Sequence, residues 1–519
     1  MPQPVNYPIG LQDFRKIREG GYVYVDKTAL IWQLITSGCY YFLSRPRRFG
    51  KSLLLSTIAA YFSGEQELFK GLAIAEKTAE WVKHPVLHLD LGGQTYTDAE
   101  SLDRVLNDRL FAWEELYGKR ESETDVPLRF RGVIQRAFER TGRQVVILVD
   151  EYDKPLLESA GNEALQEHYR ATLRAFYFNL KSCDAAIKFA LLTGVTKFSK
   201  LSVFSDLNNL NDISMQREYG AICGITESEL ETYFAHGIAE LARRNEMRVD
   251  EARARLKRQY DGYLFHPKAE HVYNPFSLLN AFVKNELGDY WFASGTPSFL
   301  VNMMKREEID VGNISATFIP PEQLNALDSL ATDPLPILYQ SGYLTLASVH
   351  PVTGDYQLKF PNAEVERGFF ALLLPLYANK KTARSNTLLN HLITALVEGK
   401  PEDFMRELQA LLADIPYEQG KPVEAYFRNL LFIIFRLVGF YCEVEHPLAG
   451  GRSDMVIKTD QYIYLLELKV DQSAAAALAQ IEEKAYAAPY ATDARTLFKI
   501  GLNFSTQSKQ IDDWQVPEA

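Results

Sequence analysis

The fold of this chain is decided by one stretch, Tyr41-Phe42-Leu43-Ser44-Arg45-Pro46-Arg47-Arg48-Phe49-Gly50-Lys51-Ser52. It predicts an apolar strand, then a tight basic turn, then an apolar helix that continues from Leu53 to Tyr61. A phosphate-binding loop requires this order, because the glycine lets the backbone approach the anion and the helix N-terminus directs free N–H groups at it. Lys51 adds a positive charge, and the Ser52 hydroxyl is placed to hold Mg²⁺.

The loop departs from the usual pattern at its start. Arg45 stands where such loops have their first glycine. Arg47 and Arg48 either contact phosphate or form a solvated basic turn. The alternative for the whole stretch is a basic strand–helix turn without a ligand.

A second stretch supports the first. Residues 145–149 are five consecutive apolar residues, which predicts a buried strand of a parallel sheet. The strand ends on Asp150 and Glu151, at the sheet edge where ligands bind in open α/β sheets. In ATPases with such a loop, the first acid holds Mg²⁺ and the second polarises the attacking water. The alternative is a strand that runs into a solvated acidic turn.

Further strands and helices alternate around these two stretches. Strands are predicted at 85–91 and 187–195, and helices at 98–117 and 128–141. This alternation predicts a parallel sheet flanked by helices. Thr193 ends its strand beside the acid strand, so it is a candidate sensor of the γ-phosphate, with a helix or turn cap as the alternative.

Two shorter segments lie outside this alternation of strands and helices. Residues 22–26 predict a short strand and residues 27–36 a capped helix, and this segment either covers the adenine of a nucleotide or forms an edge element. Residues 207–212 have the composition of a turn.

Composition restricts the class of protein. The 519 residues are 47% apolar and 24% charged, with a net charge of −11, so the chain is not a basic coat for nucleic acid. An apolar run of 18 residues is absent, and the four cysteines form no CxxC pair. We therefore expect a soluble cytoplasmic protein without a cysteine zinc site or a membrane partner.

The predicted organisation has three parts. Residues 1–225 hold the phosphate-binding loop and its sheet. Residues 226–385 form a helical or winged-helix-like lid and connecting region, with a hairpin at 343–346 and 356–360. Residues 386–519 form the last domain, which carries a second set of chemically active residues.

Two carboxylates and a lysine mark this last domain. Asp454 begins one predicted strand, and Glu467 and Lys469 share a face of the next. Buried charges of this kind are costly unless they are paired or bind a metal. Metal-dependent phosphodiester hydrolysis needs such a set, because the carboxylates bind Mg²⁺ and the lysine positions or activates a water. The alternative is an edge hairpin with a salt bridge. Glu424 on the preceding helix and Gln480 on the following helix are further candidates.

At this point the chain resembles a bacterial and archaeal family that joins an AAA-ATPase-like domain to a C-terminal nuclease domain of the PD-(D/E)XK superfamily. The resemblance covers nearly the whole chain. Its motifs lie at 24–28, 45–52, 149–153, 193–198, 208–210, 260–263, 451–454 and 467–469. The usual Pro before the aspartate is absent, because Ser453 precedes Asp454.

The resemblance implies an α/β fold with a P-loop NTPase sheet and a restriction-endonuclease-like C-terminal domain. It also implies roles for particular residues. The implied nucleotide-binding residues are Arg48, Phe49, Gly50, Lys51, Ser52, Leu53, Asp150 and Thr193, with Mg²⁺ on Ser52 and Asp150 and with Glu151 as the catalytic acid. The implied nuclease residues are Asp454 and Glu467, which also bind metal, and the catalytic Lys469.

The sequence therefore supports an ATPase fused to a Mg²⁺-dependent nuclease that acts on DNA rather than RNA, with Mn²⁺ as an alternative metal at the nuclease site. A different class of function is a nucleotide-dependent switch or scaffold whose C-terminal domain binds nucleic acid or protein without cutting. A third hypothesis, by analogy of architecture alone, is a defence or mobile-element protein in which ATP-driven assembly of a homo-oligomer triggers the nuclease.

Overall fold

The computed structural model describes residues 6–198, 209–293, 317–325, 334–377, 382–412, 423–439, 443–445, 455–508 and 510–517, without the side chains of 382, 383, 423–428 and 443–445. The chain divides into two compact units. The first comprises residues 1–309 and 314–365, and the second comprises 310–313 and 366–519. The three-part division expected from the sequence stays a prediction.

A parallel sheet forms the centre of the first unit. Its strands are β1 (Tyr40–Ser44), β2 (Val86–Asp90), β3 (Val145–Asp150), β4 (Ile187–Gly194) and β5 (Asn211–Asp212). Their order is β2-β3-β4-β1-β5, and every neighbouring pair is parallel. The predicted parallel sheet is confirmed, and its interior strand β3 is buried along its whole length, which explains its unbroken apolar run.

Helices precede and connect these strands. They are α1 (Phe14–Glu19), α2 (Thr28–Ser37), α3 (Lys51–Phe62), α4 (Ala73–Lys77), α5 (Ala99–Tyr117), α6 (Val126–Thr141), α7 (Lys154–Glu158), α8 (Glu163–Tyr177) and α9 (Asn179–Ser182). The ends of α6 follow from local chemistry. The Asp125 carboxylate accepts a hydrogen bond from the N–H of Leu128, Pro127 lies in the first turn, and Gly142 ends the helix in the left-handed region at φ 65°.

Two local predictions were wrong. Residues 22–26 form no strand, because their backbone makes only an isolated bridge between Tyr22 and Asn6. The Asp26 carboxylate instead accepts hydrogen bonds from the N–H groups of Thr28 and Ala73, so it caps two helices. Asn211 and Asp212, expected in a turn, pair with β1 as the edge strand β5; residues 207 and 208 lie outside the described residues.

Helices dominate the rest of the first unit. They are α10 (Glu227–Arg244), α11 (Val249–Tyr260), α12 (Pro275–Lys284), α13 (Tyr290–Ala293), α14 (Pro321–Asn325) and α15 (Pro334–Gln340). Leu230, Phe234, Leu256 and Phe282 contribute to the apolar core that α10, α11 and α12 share. The strands β6 (Phe318–Ile319), β7 (Thr345–Val349) and β8 (Tyr356–Lys359) form an antiparallel sheet in the order β6-β8-β7, so the predicted hairpin is confirmed.

The second unit combines helices with a mixed sheet. Helix α16 (Ala363–Tyr377) contains the division between the units, and α17 (Thr382–Val397), α18 (Pro401–Leu412) and α19 (Val423–Val438) follow. The strands are β9 (Glu443–Glu445), β10 (Met455–Lys458), β11 (Tyr462–Val470), β12 (Thr496–Ser505) and β13 (Gln510–Gln515), and α20 (Ala474–Glu483) lies between β11 and β12 in sequence. Their order is β13-β12-β11-β10-β9, with β11 and β12 parallel and the other pairs antiparallel.

No helix in the part of the chain that the structure describes has both the length and the apolar character needed to cross a membrane.

The first unit contains a fully buried carboxyl group at the start of α16. Glu364 is 0% exposed, and one of its oxygens accepts a 2.6 Å hydrogen bond from the backbone N–H of Trp291. Burial raises the pKa of Glu364 to about 7, and the neighbouring Asp289 adds to the rise. The Trp291 indole donates to the Arg47 carbonyl at 3.2 Å, so this cluster contacts the phosphate-loop stretch.

We expect Glu364 to make stability fall as pH rises from about 4.5 to about 7. The unfolded chain loses the proton first, so ionisation favours the unfolded state across this window, by up to about 3 kcal/mol. Glu364→Gln cannot ionise and should become progressively more stable than the wild type over the same range. Urea denaturation at a series of pH values measures this difference.

The exposed Glu80→Gln variant is the matched control, and its denaturation midpoint should follow that of the wild type at every pH. Parallel curves for Glu364→Gln and the wild type would contradict the expectation.

Candidate functional sites

The predicted strand–turn–helix arrangement is present. Strand β1 ends at Ser44, and α3 begins at Lys51. Gly50 immediately precedes the helix with φ 93°, a left-handed backbone conformation that residues other than glycine rarely adopt. Lys51 and Ser52 therefore occupy the first turn of α3, where backbone N–H groups lack partners within the helix.

Arg45 is an anchor of the loop. Its side chain is buried, and the guanidinium donates to the carbonyls of Ser44 at 2.9 Å, Ser214 at 2.7 Å and Tyr219 at 2.9 Å. It also lies 3.9 Å from the centre of the Phe265 ring. The side chain that replaces the first glycine thus joins the loop to the segment that follows β5.

The loop also holds its own lysine. The Lys51 ammonium donates to the carbonyls of Arg45 at 2.9 Å and Pro46 at 3.1 Å and is almost fully buried. These hydrogen bonds keep the positive charge inside the curve of the loop, at the N-terminus of α3.

A cavity of about 440 Å³ opens in front of the loop. Its wall includes Arg47, Arg48 and residues 49–53, and Glu151 closes it on the side of the acid strand. Arg48 has φ 66°, and its guanidinium lies 5.1 Å from the centre of the Phe276 ring. Both arginines are exposed and line this cavity, which is compatible with phosphate contact.

The acid strand delivers two different carboxylates. Asp150 is buried and accepts hydrogen bonds from the Thr193 hydroxyl at 2.7 Å and from the Glu151 N–H at 3.0 Å. Glu151 has φ 51°, a strained conformation for a residue with a side chain. Burial raises the pKa of Glu151, and the positive charge of Lys51 acts in the opposite direction. Thr193 therefore contacts Asp150 directly.

A smaller apolar cavity, of about 100 Å³, shares Phe49, Gly50 and Leu53 with the first. Its other walls include residues 23–25 and 222–225. Lys27 lies at this cavity and forms a 2.6 Å ion pair with Glu229 of α10. The segment at 22–28, for which the sequence left two interpretations open, thus lies beside the loop.

Sequence reasoning assigned no role to Asp153 and Lys154. The buried Asp153 carboxylate accepts 2.6 Å hydrogen bonds from both the N–H and the hydroxyl of Thr196, and it also accepts from the Val195 N–H at 3.1 Å. It therefore fixes the end of β4 to the end of β3. Lys154 lines the large cavity. The position of Asp153, three residues after Asp150, is the sequence feature that could have identified Asp153. No sequence feature identifies Lys154.

The second unit brings three predicted residues together. Glu467 is 2% exposed in β11, and its carboxylate lies 3.7 Å from the Lys469 ammonium. The Gln480 amide, from α20, donates to Glu467 and accepts from Lys469. It also lies 3.4 Å from the Tyr486 hydroxyl. Gln480 thus bridges the carboxylate and the lysine.

Two other predicted residues cannot be placed. Asp454 lies outside the described residues, and the side chain of Glu424 is not described. Among the described side chains, no three His, Cys, Asp or Glu residues cluster as a metal site would require. Glu467 offers a carboxylate oxygen, a ligand type that Mg²⁺ prefers, so it fits a metal site that Asp454 would complete.

Two family models match the chain. Residues 8–204 match a family described as "Predicted AAA-ATPase", and residues 423–514 match the PD-(D/E)XK nuclease superfamily. A protein of Azotobacter chroococcum mcd 1, named "Uncharacterized protein in vnfD 5'region", is 36% identical over 516 residues, which are 97% of each chain. The resemblance expected from the sequence is thereby confirmed. The chain belongs to a family that joins an AAA-ATPase-like domain to a C-terminal domain of the PD-(D/E)XK nuclease superfamily.

Proposed function

We propose that the first unit binds and hydrolyses ATP and that the second unit is a metal-dependent nuclease that cuts DNA under nucleotide control. The observation that carries the first half is the cavity in which Gly50, Lys51 and Ser52 face Glu151. The bridge from Glu467 through Gln480 to Lys469 carries the second half.

In the first unit, the N–H groups at the start of α3 and the Lys51 ammonium bind the phosphates. Lys51 leaves the carbonyls of Arg45 and Pro46 for a phosphate oxygen, exchanging two neutral acceptors for a charged one. The apolar cavity beside the loop, lined by residues 23–25, receives the adenine.

Ser52 and Asp150 have the oxygen donors that would hold Mg²⁺, which supplies charge neutralisation at the phosphates when bound. Thr193 orients Asp150 through its 2.7 Å hydrogen bond. Glu151, on the cavity wall, accepts the proton of the attacking water.

In the second unit, Glu467 and Asp454 would hold Mg²⁺ or Mn²⁺, which supplies a water of lowered pKa. Lys469 orients the attacking water and balances the negative charge that develops on the phosphate. Gln480 keeps Lys469 and Glu467 in one arrangement, because its amide contacts both.

We expect Lys51→Ala to weaken ATP binding tenfold to a hundredfold, since a hydrogen bond to a charged group is worth about 1.5–3 kcal/mol. Glu151→Gln should keep the affinity but lower kcat at least about a hundredfold, because it removes the proton acceptor. Binding of a fluorescent ATP analogue and release of phosphate measure the two effects.

The exposed Lys70→Ala variant is the control for lost positive charge and should match the wild type in both assays. Equal affinity of Lys51→Ala and the wild type would remove the basis for ATP binding at this loop.

We expect Lys469→Met to lose DNA cleavage at least about a hundredfold, since it removes the water-orienting charge. Gln480→Ala should lose about tenfold to a hundredfold, as is usual for a group that orients the groups in contact with a metal. Purified protein is incubated with plasmid, single-stranded DNA or RNA and with Mg²⁺ or Mn²⁺, in the presence and absence of ATP.

Lys499→Met is the matched control, because Lys499 lies on the neighbouring strand and pairs with Glu482. It should cut like the wild type. Cleavage that survives in Lys469→Met would contradict the assigned site, and the absence of cleavage under every condition would favour a nucleotide-dependent switch or scaffold.

A further inference from the structure

Lys154 lies in the wall of the large cavity. It is the first residue of α7, three positions after Glu151, and its side chain is 25% exposed. The ammonium donates to the Gly92 carbonyl and lies 3.8 Å from the Glu158 carboxylate. These two contacts hold the positive charge at a defined position, on the β2 side of the acid strand.

Gly92 is the residue at which Lys154 and Glu151 meet. A Cβ atom added to Gly92 would lie 2.7 Å from Oε2 of Glu151 and 2.9 Å from Oδ1 of Asp90. The Glu151 carboxylate therefore packs against the Cα of Gly92, while the Lys154 ammonium binds its carbonyl. A side chain at position 92 would displace the Glu151 carboxylate. Glu151 and Lys154 thus contact the backbone of the same residue, Gly92, which we call their shared platform.

Several charged groups surround Glu151. The groups that face it are Lys51 from α3, Asp150 at the end of β3, Asp153 and Lys154 at the start of α7, and Asp90 across Gly92. Lys51 and Lys154 attract the Glu151 carboxylate, whereas Asp150 and Asp153 repel it. Because Lys51 is assigned to the phosphates, Lys154 is the lysine of this set that remains with Glu151 when nucleotide binds.

We propose that Lys154, with Gly92 as the shared platform, is a positioning residue that orients Glu151 for ATP hydrolysis. The inference rests on the proposed ATPase function. It identifies Lys154 as a cation that the first unit places near the proton-accepting carboxylate of Glu151. Lys154 acts through Glu151, so it should affect kcat and leave the KM for ATP nearly unchanged.

The test is the steady-state ATPase activity of the full chain with Lys154→Met and Lys154→Arg. Lys154→Met removes the charge at similar length and should lower kcat about tenfold to a hundredfold, with KM within about twofold of the wild type. Lys154→Arg keeps the charge and a donor for the Gly92 carbonyl, so it should restore most of kcat.

A pair of glycine variants tests the orientation of Glu151 without a change of charge. Gly92→Ala places a methyl group 2.7 Å from the Glu151 carboxylate and should lower kcat. Gly93→Ala is the matched control, because a Cβ there meets nothing within 4 Å, and it should retain wild-type kcat. Thermal denaturation of each variant verifies that it is folded.

Different results would overturn the proposed ATPase function and the role of Lys154. If the wild type releases no phosphate from ATP, the proposed function fails and the inference fails with it. If the wild type hydrolyses ATP and Glu151→Gln does not, a wild-type kcat in Lys154→Met overturns the inference alone. A raised KM with unchanged kcat in Lys154→Met also overturns it, since that result indicates direct contact with the nucleotide.

Discussion

The phosphate-loop region depends on a buried cation. Arg45 carries a charge that is costly to bury, and it is retained because three backbone carbonyls and an aromatic ring surround its guanidinium. These partners come from the loop itself, from the segment after β5 and from Phe265. The loop between β1 and α3 is thus joined to parts of the first unit that lie far away in sequence. Its neighbour Arg47 is tied further through the indole of Trp291.

The carboxyl edge of the parallel sheet follows from this framework. Strands β2 and β3 pair with Asp90 opposite Asp150, and β4 brings Thr193 to the same edge. Asp153 closes the arrangement by binding the backbone just after β4. Three neighbouring strands therefore end in a network of directed hydrogen bonds, and this network positions Glu151 in the wall of the cavity, in a strained backbone conformation.

The second unit also brings polar side chains together at a sheet, but its sheet is mixed rather than parallel. Parallel strands need a crossover connection, and between β11 and β12 that connection contains α20. The crossover brings Gln480 to Glu467 and Lys469. Side chains alternate between the two faces of a strand, so the sequence predicted that Glu467 and Lys469 share a face. That their partner is an amide from the crossover helix follows from the packing of α20 on the sheet.

The sequence by itself determined the strands β1 to β4, the long helices between them and the parallel direction of the first sheet, because buried strands and amphipathic helices are encoded by local patterns of apolar residues. It also determined the strand–turn–helix loop, since the left-handed turn requires Gly50. Only the tertiary structure decided that Arg45 faces backbone carbonyls, that Thr193 contacts Asp150 and that Lys154 shares Gly92 with Glu151. It also decided that residues 22–26 form no strand. These outcomes depend on contacts between residues far apart in the chain, and such contacts leave no periodic trace in the sequence.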